Sequence, residues 1–328
     1  MKPTPIILDV DAGIDDTLAI VFSLLSPSLR VRAITTVAGN VPVRECTRNV
    51  LLTLQLLAHR LTSIPVVAEG AARPLKRKLF TAREVHGRDG IGNVSRLYDA
   101  PTLRADSRIA VDVILDTVRR HPGISVVATG PLTNIAAAIA ADRSTMRRAR
   151  EIVVMGGAFH GLHNTGPAAE FNFYVDPEAA DFVMRSGISI KLIPLNVTEQ
   201  CVLAPSDLRA TADPVVGRYL RRITKFYFEF HKRTTNVRKA YLHDPLAAGA
   251  VAFPSLLKYI DGYVRVEGTG RYSRGLSIFF PHLSVRKNAE LPEWVKRVLR
   301  EKPTVRIATR VDAKLFKRRF LQTVRSAP

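Results

Sequence analysis

The chain has 328 residues, of which 46% are apolar and 24% charged, and it carries a net charge of +20. These proportions are ordinary for a globular protein and leave room for one large α/β domain or two smaller ones. No apolar stretch approaches the roughly 18 residues needed to span a bilayer, and only Ile6, Ile7 and Leu8 precede the first Asp, too few for a signal-peptide core.

Cytoplasmic residence is the resulting expectation, and two cysteines, Cys46 and Cys201, suit a reducing compartment. Neither has a partner at ligand spacing, so no disulfide or metal pair is expected, and Cys46 reads as a packing residue.

Ile6–Val10 is a short apolar run read as a strand, and Thr17–Leu25 follows with helical spacing. Between them lies Asp9-Val10-Asp11-Ala12-Gly13-Ile14-Asp15-Asp16, which holds four of the chain's 29 acidic residues. No Arg or Lys lies between residues 3 and 29 to neutralise them. Carboxylates this close push one another's pKa upward unless a cation intervenes. One of them could cap the following helix, but four cannot. A hard dication taking oxygen ligands, Ca²⁺ or Mg²⁺, is the simplest way to keep the cluster ionised.

Val31–Thr36 reads as a second strand, followed by Thr36-Val37-Ala38-Gly39-Asn40, where Gly39 permits a tight turn. Val43–Ala58 is a helix with Val50, Leu51 and Leu54 on one face, and Ile64–Ala68 is a third strand. Val85-His86-Gly87-Arg88-Asp89-Gly90-Ile91-Gly92 is glycine-rich but lacks the Lys-Ser/Thr that completes a phosphate loop. Ser107 begins another helical pattern, Val126–Ala128 is a strand, and Thr133 is placed as the cap of an Ala-rich helix. Ile152–Met155 is a strand, Asn164, Glu170 and Asn172 gather within nine residues, and Asp176-Pro177 is an N-cap with Pro at the first helical position.

Ile188–Pro194 is a further strand, and residues 213–260 read as helical, with Tyr219, Leu220, Ile223, Phe226, Tyr227 and Phe230 spaced to pack a core. His243-Asp244 stands before Pro245, where Asp244 taken alone favours a helix cap. His59, His121, His231, His282, Asp89 and Asp176 read as caps or surface. The polar, basic stretch from Pro281 to Pro303 has the character of an insertion. From Arg286 to Arg325 there are 13 Lys/Arg against 4 Asp/Glu, scattered around Trp294, Val295, Val298, Leu299, Leu315, Phe316 and Phe320. That arrangement fits a solvated helix face better than a nucleic-acid site.

Alternation of strands and helices predicts an α/β fold, a mostly parallel sheet covered on both faces, as one domain over residues 1–328. Ligands of such sheets sit at the carboxyl ends of the strands. The polar clusters lie just after the strand-like runs, at Asp9–Asp16, Thr36–Asn40, Thr129–Asn134, Met155–Gly157 and Asn196.

Taken together and in this order, these motifs resemble the inosine–uridine nucleoside hydrolase family. The resemblance rests on Asp9 to Asp16, Thr36 to Asn40, Val85-His86-Gly87, Thr129 to Asn134, Met155-Gly156-Gly157, Asn164 to Asn172 and His243-Asp244-Pro245-Leu246, with Ser273-Arg274-Gly275 as a further element. It implies an open, Rossmann-like sheet and Ca²⁺-dependent hydrolysis of the N-glycosidic bond of ribonucleosides. It further implies Ca²⁺ held by Asp11, Asp16, Asp244 and the Thr129 carbonyl, with Asp11 as general base toward a water on that ion. Asp15, Asn40, Asn164, Glu170, Asn172 and the Met155 backbone would hold the ribose, and Asp9 would support the ligands from behind. His86 and His243 match two histidines near the base, the latter a candidate leaving-group acid.

A small-molecule ribonucleoside is the implied partner, with a homodimer or homotetramer as the implied assembly and neither membrane nor nucleic acid expected. Ala12 stands where the family commonly has Pro, which implies a looser first turn.

Two other classes share parts of the pattern. Phosphatases of the haloacid dehalogenase type also place Asp-x-Asp after a first strand and use Mg²⁺. They carry a Thr or Val soon after the pair, however, and here Gly13-Ile14-Asp15-Asp16 stands instead. A ribose- or nucleoside-binding protein, or a nucleic-acid binder using the basic tail, is the non-enzymatic alternative.

Overall fold

The apolar runs pair into a nine-stranded sheet in a computed structural model that describes residues 2–282, 293, 295, 296 and 303–326. Its strands in chain order are β1 (Thr4–Val10), β2 (Leu29–Thr36), β3 (Val66–Glu69), β4 (Ser125–Ala128), β5 (Glu151–Met155) and β6 (Ile190–Ile193). After the short pair β7 (Val202–Leu203) and β8 (Ala240–Tyr241) come β9 (Leu257–Val266), β10 (Ser277–Pro281) and β11 (Val305–Val311). The order across the sheet is β10-β9-β11-β6-β5-β4-β1-β2-β3. Pairing is parallel from β11 to β3, whereas β9 runs antiparallel to both β11 and β10.

Central strands of a parallel sheet are covered on both faces and so read as continuous apolar runs. β4, β5 and β6 are buried at every position. Side-chain alternation along β1 then assigns each residue to a face. Ile6, Leu8 and Val10 belong to the cluster under helices Ile14–Leu25, Val43–Leu57, Pro214–Thr235, His243–Ala252 and Ala313–Arg325. Ile7 belongs to the opposite cluster under Ala110–Arg120, Thr133–Ala141 and Pro177–Met184. The C-terminal helix is seated by Phe316 and Phe320, whose ring centroids lie 6.2 and 5.7 Å from that of Phe22.

Several elements differ from their sequence-based expectation. The first helix starts at Ile14 instead of Thr17, the third strand covers Val66–Glu69 instead of Ile64–Ala68, and the helix sought from Ser107 begins at Ala110. Thr133 is the first helical residue and not a cap, because its hydroxyl donates to Asp176 Oδ2 (2.6 Å). Asp176 itself caps the next helix through Ala179 N–H (3.1 Å). Residues 213–260 are not helical throughout. The long helix ends at Asn236 in the left-handed region (φ 56°), and β9 begins at Leu257. Within the stretch from Pro281 to Pro303, residues 283–292, 294 and 297–302 lie outside the described residues, as do the packing roles expected of Trp294, Val298 and Leu299.

Candidate active site

Strand order 3-2-1-4-5-6 places the topological switch between β1 and β4, where an open α/β sheet forms its ligand crevice. Thr129 N–H closes that seam by donating to the Asp9 carbonyl (2.8 Å). The acidic motif turns from β1 into the first helix directly over it. Ala12 makes the turn at φ 36°, a left-handed backbone that the fixed φ of proline cannot adopt. Far from loosening the segment, Ala12 is fully buried and its carbonyl accepts from Asn49 Nδ2 (3.1 Å).

Each carboxylate is then fixed by a different segment. Asp16 Oδ2 accepts from Gly13 N–H (2.9 Å) and Asn40 Nδ2 (3.1 Å), while its Oδ1 accepts from Thr129 Oγ1 (2.7 Å). Asp11 Oδ2 accepts from Asn40 N–H (2.7 Å). Glycine is required at position 39, because a side chain there would overlap the Asp11 carboxylate. Asp244 is the second residue of its helix, behind Leu242 as N-cap, so it is free to face the cluster and does not cap.

Asp15, Asp16 and Asp244 each offer an oxygen within 4.8 Å of the others. The resemblance implies Asp11 in that trio and Asp15 toward the sugar. In the structure Asp15 belongs to the trio and also lines the cavity.

Burial dominates the electrostatics. It raises the Asp9 carboxyl to about 7 and, with the Asp16 charge, Asp15 to about 8. Burial also holds Asp11 and Asp244 well above the carboxylate range, aided by Asp16 and Asp15 respectively. Asp9 Oδ2, Asp11 Oδ1 and Asp15 Oδ1 are buried without a partner. Unpaired buried oxygens are costly, and a hard cation would satisfy both the charge and the lone pairs. The donor set fits such an ion.

Stability should depend on pH as a result. Carboxyls near 7 to 8 in the fold retain protons that the unfolded chain, titrating near 3.8, has released, so cation-free stability falls as pH rises. His86, His231 and His243, pushed by burial to about 3, about 4 and about 3, act oppositely, but only up to about 6.5, where the unfolded histidines are also neutral. Between pH 6.5 and 8 the carboxyls are the deciding groups among these. The melting temperature in chelator is therefore expected to fall across that window, and added Ca²⁺ to raise it most at pH 8. A flat profile by calorimetry would show that the cluster needs no cation.

Above the carboxylates opens a cavity of about 520 Å³. One wall carries Asn40, Met155, Asn164, Glu170 and Asn172. Asn172 Nδ2 donates to the Thr129 carbonyl (2.7 Å) and the Met155 carbonyl (3.1 Å), so the exits of β4 and β5 are tied together. Glu170, raised to about 7 by burial, accepts from Asn172, Gly157 and Phe173 N–H groups. Asn164 is exposed at the mouth, where Oδ1 accepts from Phe171 N–H (2.9 Å).

The opposite wall is aromatic. Ring centroids run from His86 to Tyr227 (5.8 Å), His231 (4.6 Å), Tyr241 (5.0 Å) and His243 (5.1 Å). His86 Nδ1 accepts from Ile14 N–H (3.1 Å), which leaves the proton on Nε2. His243 Nδ1 lies 2.7 Å from Thr198 Oγ1.

His231 corrects the surface reading. It is buried, it lines the cavity, and its Nε2 has no partner. Its position four residues after Tyr227 on an aromatic helix face was the available signal. Glu199, also a cavity residue, had no sequence signal. The Gly-rich segment around Asp89 is no phosphate cradle, since the Asp89 carboxylate takes the Ile91, Asn93 and Ser95 N–H groups.

Known proteins resemble this chain in sequence and in fold. Residues 6–318 match the family model described as inosine-uridine preferring nucleoside hydrolase. Uridine nucleosidase 1 of Arabidopsis thaliana is 39% identical over 82% of this chain and 80% of its own length. The pyrimidine-specific ribonucleoside hydrolase RihA of Citrobacter koseri is 39% identical over 84% of this chain and 87% of its own. The solved structure of the plant nucleoside hydrolase PpNRh1 superposes with a TM-score of 0.90 at 35% identity, covering 99% of this chain and 100% of that one.

Proposed function

The chain belongs to the inosine-uridine preferring nucleoside hydrolase family and is an N-glycosyl hydrolase of ribonucleosides, and we propose that it uses Ca²⁺ and prefers uridine. The observation that carries the reading is the set of unpartnered buried oxygens on Asp9, Asp11 and Asp15 beneath a cavity with a polar wall. Asp11, Asp16, Asp244 and the Thr129 carbonyl would hold the ion, with Asp9 behind them. When bound, the ion supplies charge that lowers the pKa of water at the site.

Asp11 takes the proton of the attacking water on its free Oδ1, while Asn40 N–H holds Oδ2. Asp15, Asn40, Asn164, Glu170, Asn172 and the Met155 backbone hold the ribose hydroxyls and favour the positive charge that develops on the sugar as the C–N bond breaks. The base lies against the aromatic wall. Burial keeps His86 and His243 neutral near pH 7, so each offers one N–H. With Thr198 donating to Nδ1, His243 presents its Nε2–H to the departing base. The uridine preference rests on the names of the relatives, and His231 Nε2 is the group that would read the base edge.

No Lys or Arg is among the described residues lining the cavity, although the chain carries +20 overall. A phosphate group would meet Asp15, Glu84, Glu170, Glu199 and Asp244 there, which sets the phosphatase reading aside. The test is a reducing-sugar assay with inosine, uridine, cytidine and adenosine, with and without chelator. Ribose release that chelator stops and Ca²⁺ restores is expected, with uridine fastest and uridine 5′-monophosphate cleaved far more slowly. Release from none of the nucleosides would defeat the hydrolase reading, and release indifferent to chelator would defeat the role of the ion.

A further inference from the structure

We infer that Asn134 is the positioning residue of the cation centre, a single amide that sets the Asp9 carboxylate and locks three strand exits around it. The inference rests on the proposed metal-holding role of the aspartates. Asn134 is buried near the start of its helix and commits both amide N–H groups and its oxygen to partners at long sequence separation. Nδ2 donates to Asp9 Oδ1 (2.8 Å) and to the Thr36 carbonyl (2.9 Å), and Oδ1 accepts from Ala71 N–H (2.9 Å). These partners lie near the end of β1, at the end of β2 and just beyond β3. The amide cannot flip without setting its NH₂ against Ala71 N–H and its oxygen against two acceptors.

Two further observations show that the arrangement is built and not incidental. A side-chain carbon at Gly70 would overlap both Asn134 amide atoms and come within 2.5 Å of the Thr36 carbonyl, so the chain is pressed onto this amide. Asp9 Oδ1 also accepts from Thr35 Oγ1 (2.6 Å), while Asp9 Oδ2 is buried and unpartnered. Thr35 and Asn134 therefore hold one oxygen from two sides and leave the other without a protein partner. Groups that orient metal ligands commonly govern affinity by roughly 10- to 100-fold, and Asn134 acts one contact further out, through Asp9, which places its effect at the lower end of that range.

Calorimetric Ca²⁺ titration of the full chain and its Asn134→Ala variant tests this, alongside melting temperature and the division of the activity loss between kcat and KM. Asn134→Ala is expected to bind Ca²⁺ roughly 10-fold more weakly and to lower kcat more than KM. Thr35→Val, which removes the other donor to Asp9 Oδ1 from a strand position that tolerates valine, is expected to weaken Ca²⁺ in the same direction and keeps the test open should Asn134→Ala not fold. Unchanged Ca²⁺ affinity in a folded variant, with only the melting temperature lowered, would reduce Asn134 to a structural residue and overturn the inference. Absence of Ca²⁺ binding by the parent chain would instead overturn the metal reading on which it rests.

Discussion

Asp11→Ala is expected to yield a folded protein with almost no ribose release. The Asp11 carboxylate is buried, one oxygen is held by Asn40 N–H and the other has no partner, so the protein fixes the side chain and leaves one oxygen able to accept. Loss of a general base alone costs roughly 10²–10⁴ in rate. Loss of a carboxylate from the cluster adds to this by weakening the cation. Asp11→Asn separates the two contributions, since it keeps the shape and one oxygen but cannot take a proton. A reducing-sugar assay at saturating Ca²⁺ with uridine should find both variants deeply impaired. Near-normal turnover by either, with a native circular dichroism spectrum, would remove Asp11 from the chemistry.

The second large effect concerns the opposite wall. His243→Ala is expected to cost roughly 10²–10⁴ in kcat/KM on uridine and inosine, whose bases leave poorly without a hydrogen-bond donor. Thr198 Oγ1 holds Nδ1 at 2.7 Å and so aims the other nitrogen, and burial keeps the ring neutral. An aryl riboside that departs as a stabilised phenolate needs no such donor. The variant should retain most of its activity on that substrate. Equal losses on both substrates would mean that His243 shapes the cavity without assisting the departure of the base.

The chemistry was easiest to read where it is local in the chain. Asp9 to Asp16 is one uninterrupted segment, and like charges at that density demand a physical explanation whatever the fold. The parallel strands were equally legible, because the central ones, β1, β4, β5 and β6, are covered on both faces and so appear as apolar runs. β9 was hidden because its exposed positions, among them Ile260 at 40%, break the simple alternation of a half-buried strand. The closeness of Asp15, Asp16 and Asp244 was hidden for a different reason. The approach of Asp15 and Asp16 to Asp244 follows a turn made at Ala12 with φ 36°, and no spacing rule anticipates a left-handed alanine. The same holds for Asn134, whose three contacts bridge 125, 98 and 63 residues. Only the completed sheet brings those partners together.

The cavity is assembled from two sources. Its floor and polar side come from the ends of separate strands knotted by Asn40, Asn134 and Asn172, whereas Tyr227, Phe230, His231, Thr234 and Thr235 project from the one helix Pro214–Thr235. On the proposed roles of the two walls, substitutions along that single rod would change which heterocycle is admitted while the hydrolytic apparatus stays where it is. Such a layout lets selection retune diet without rebuilding the engine.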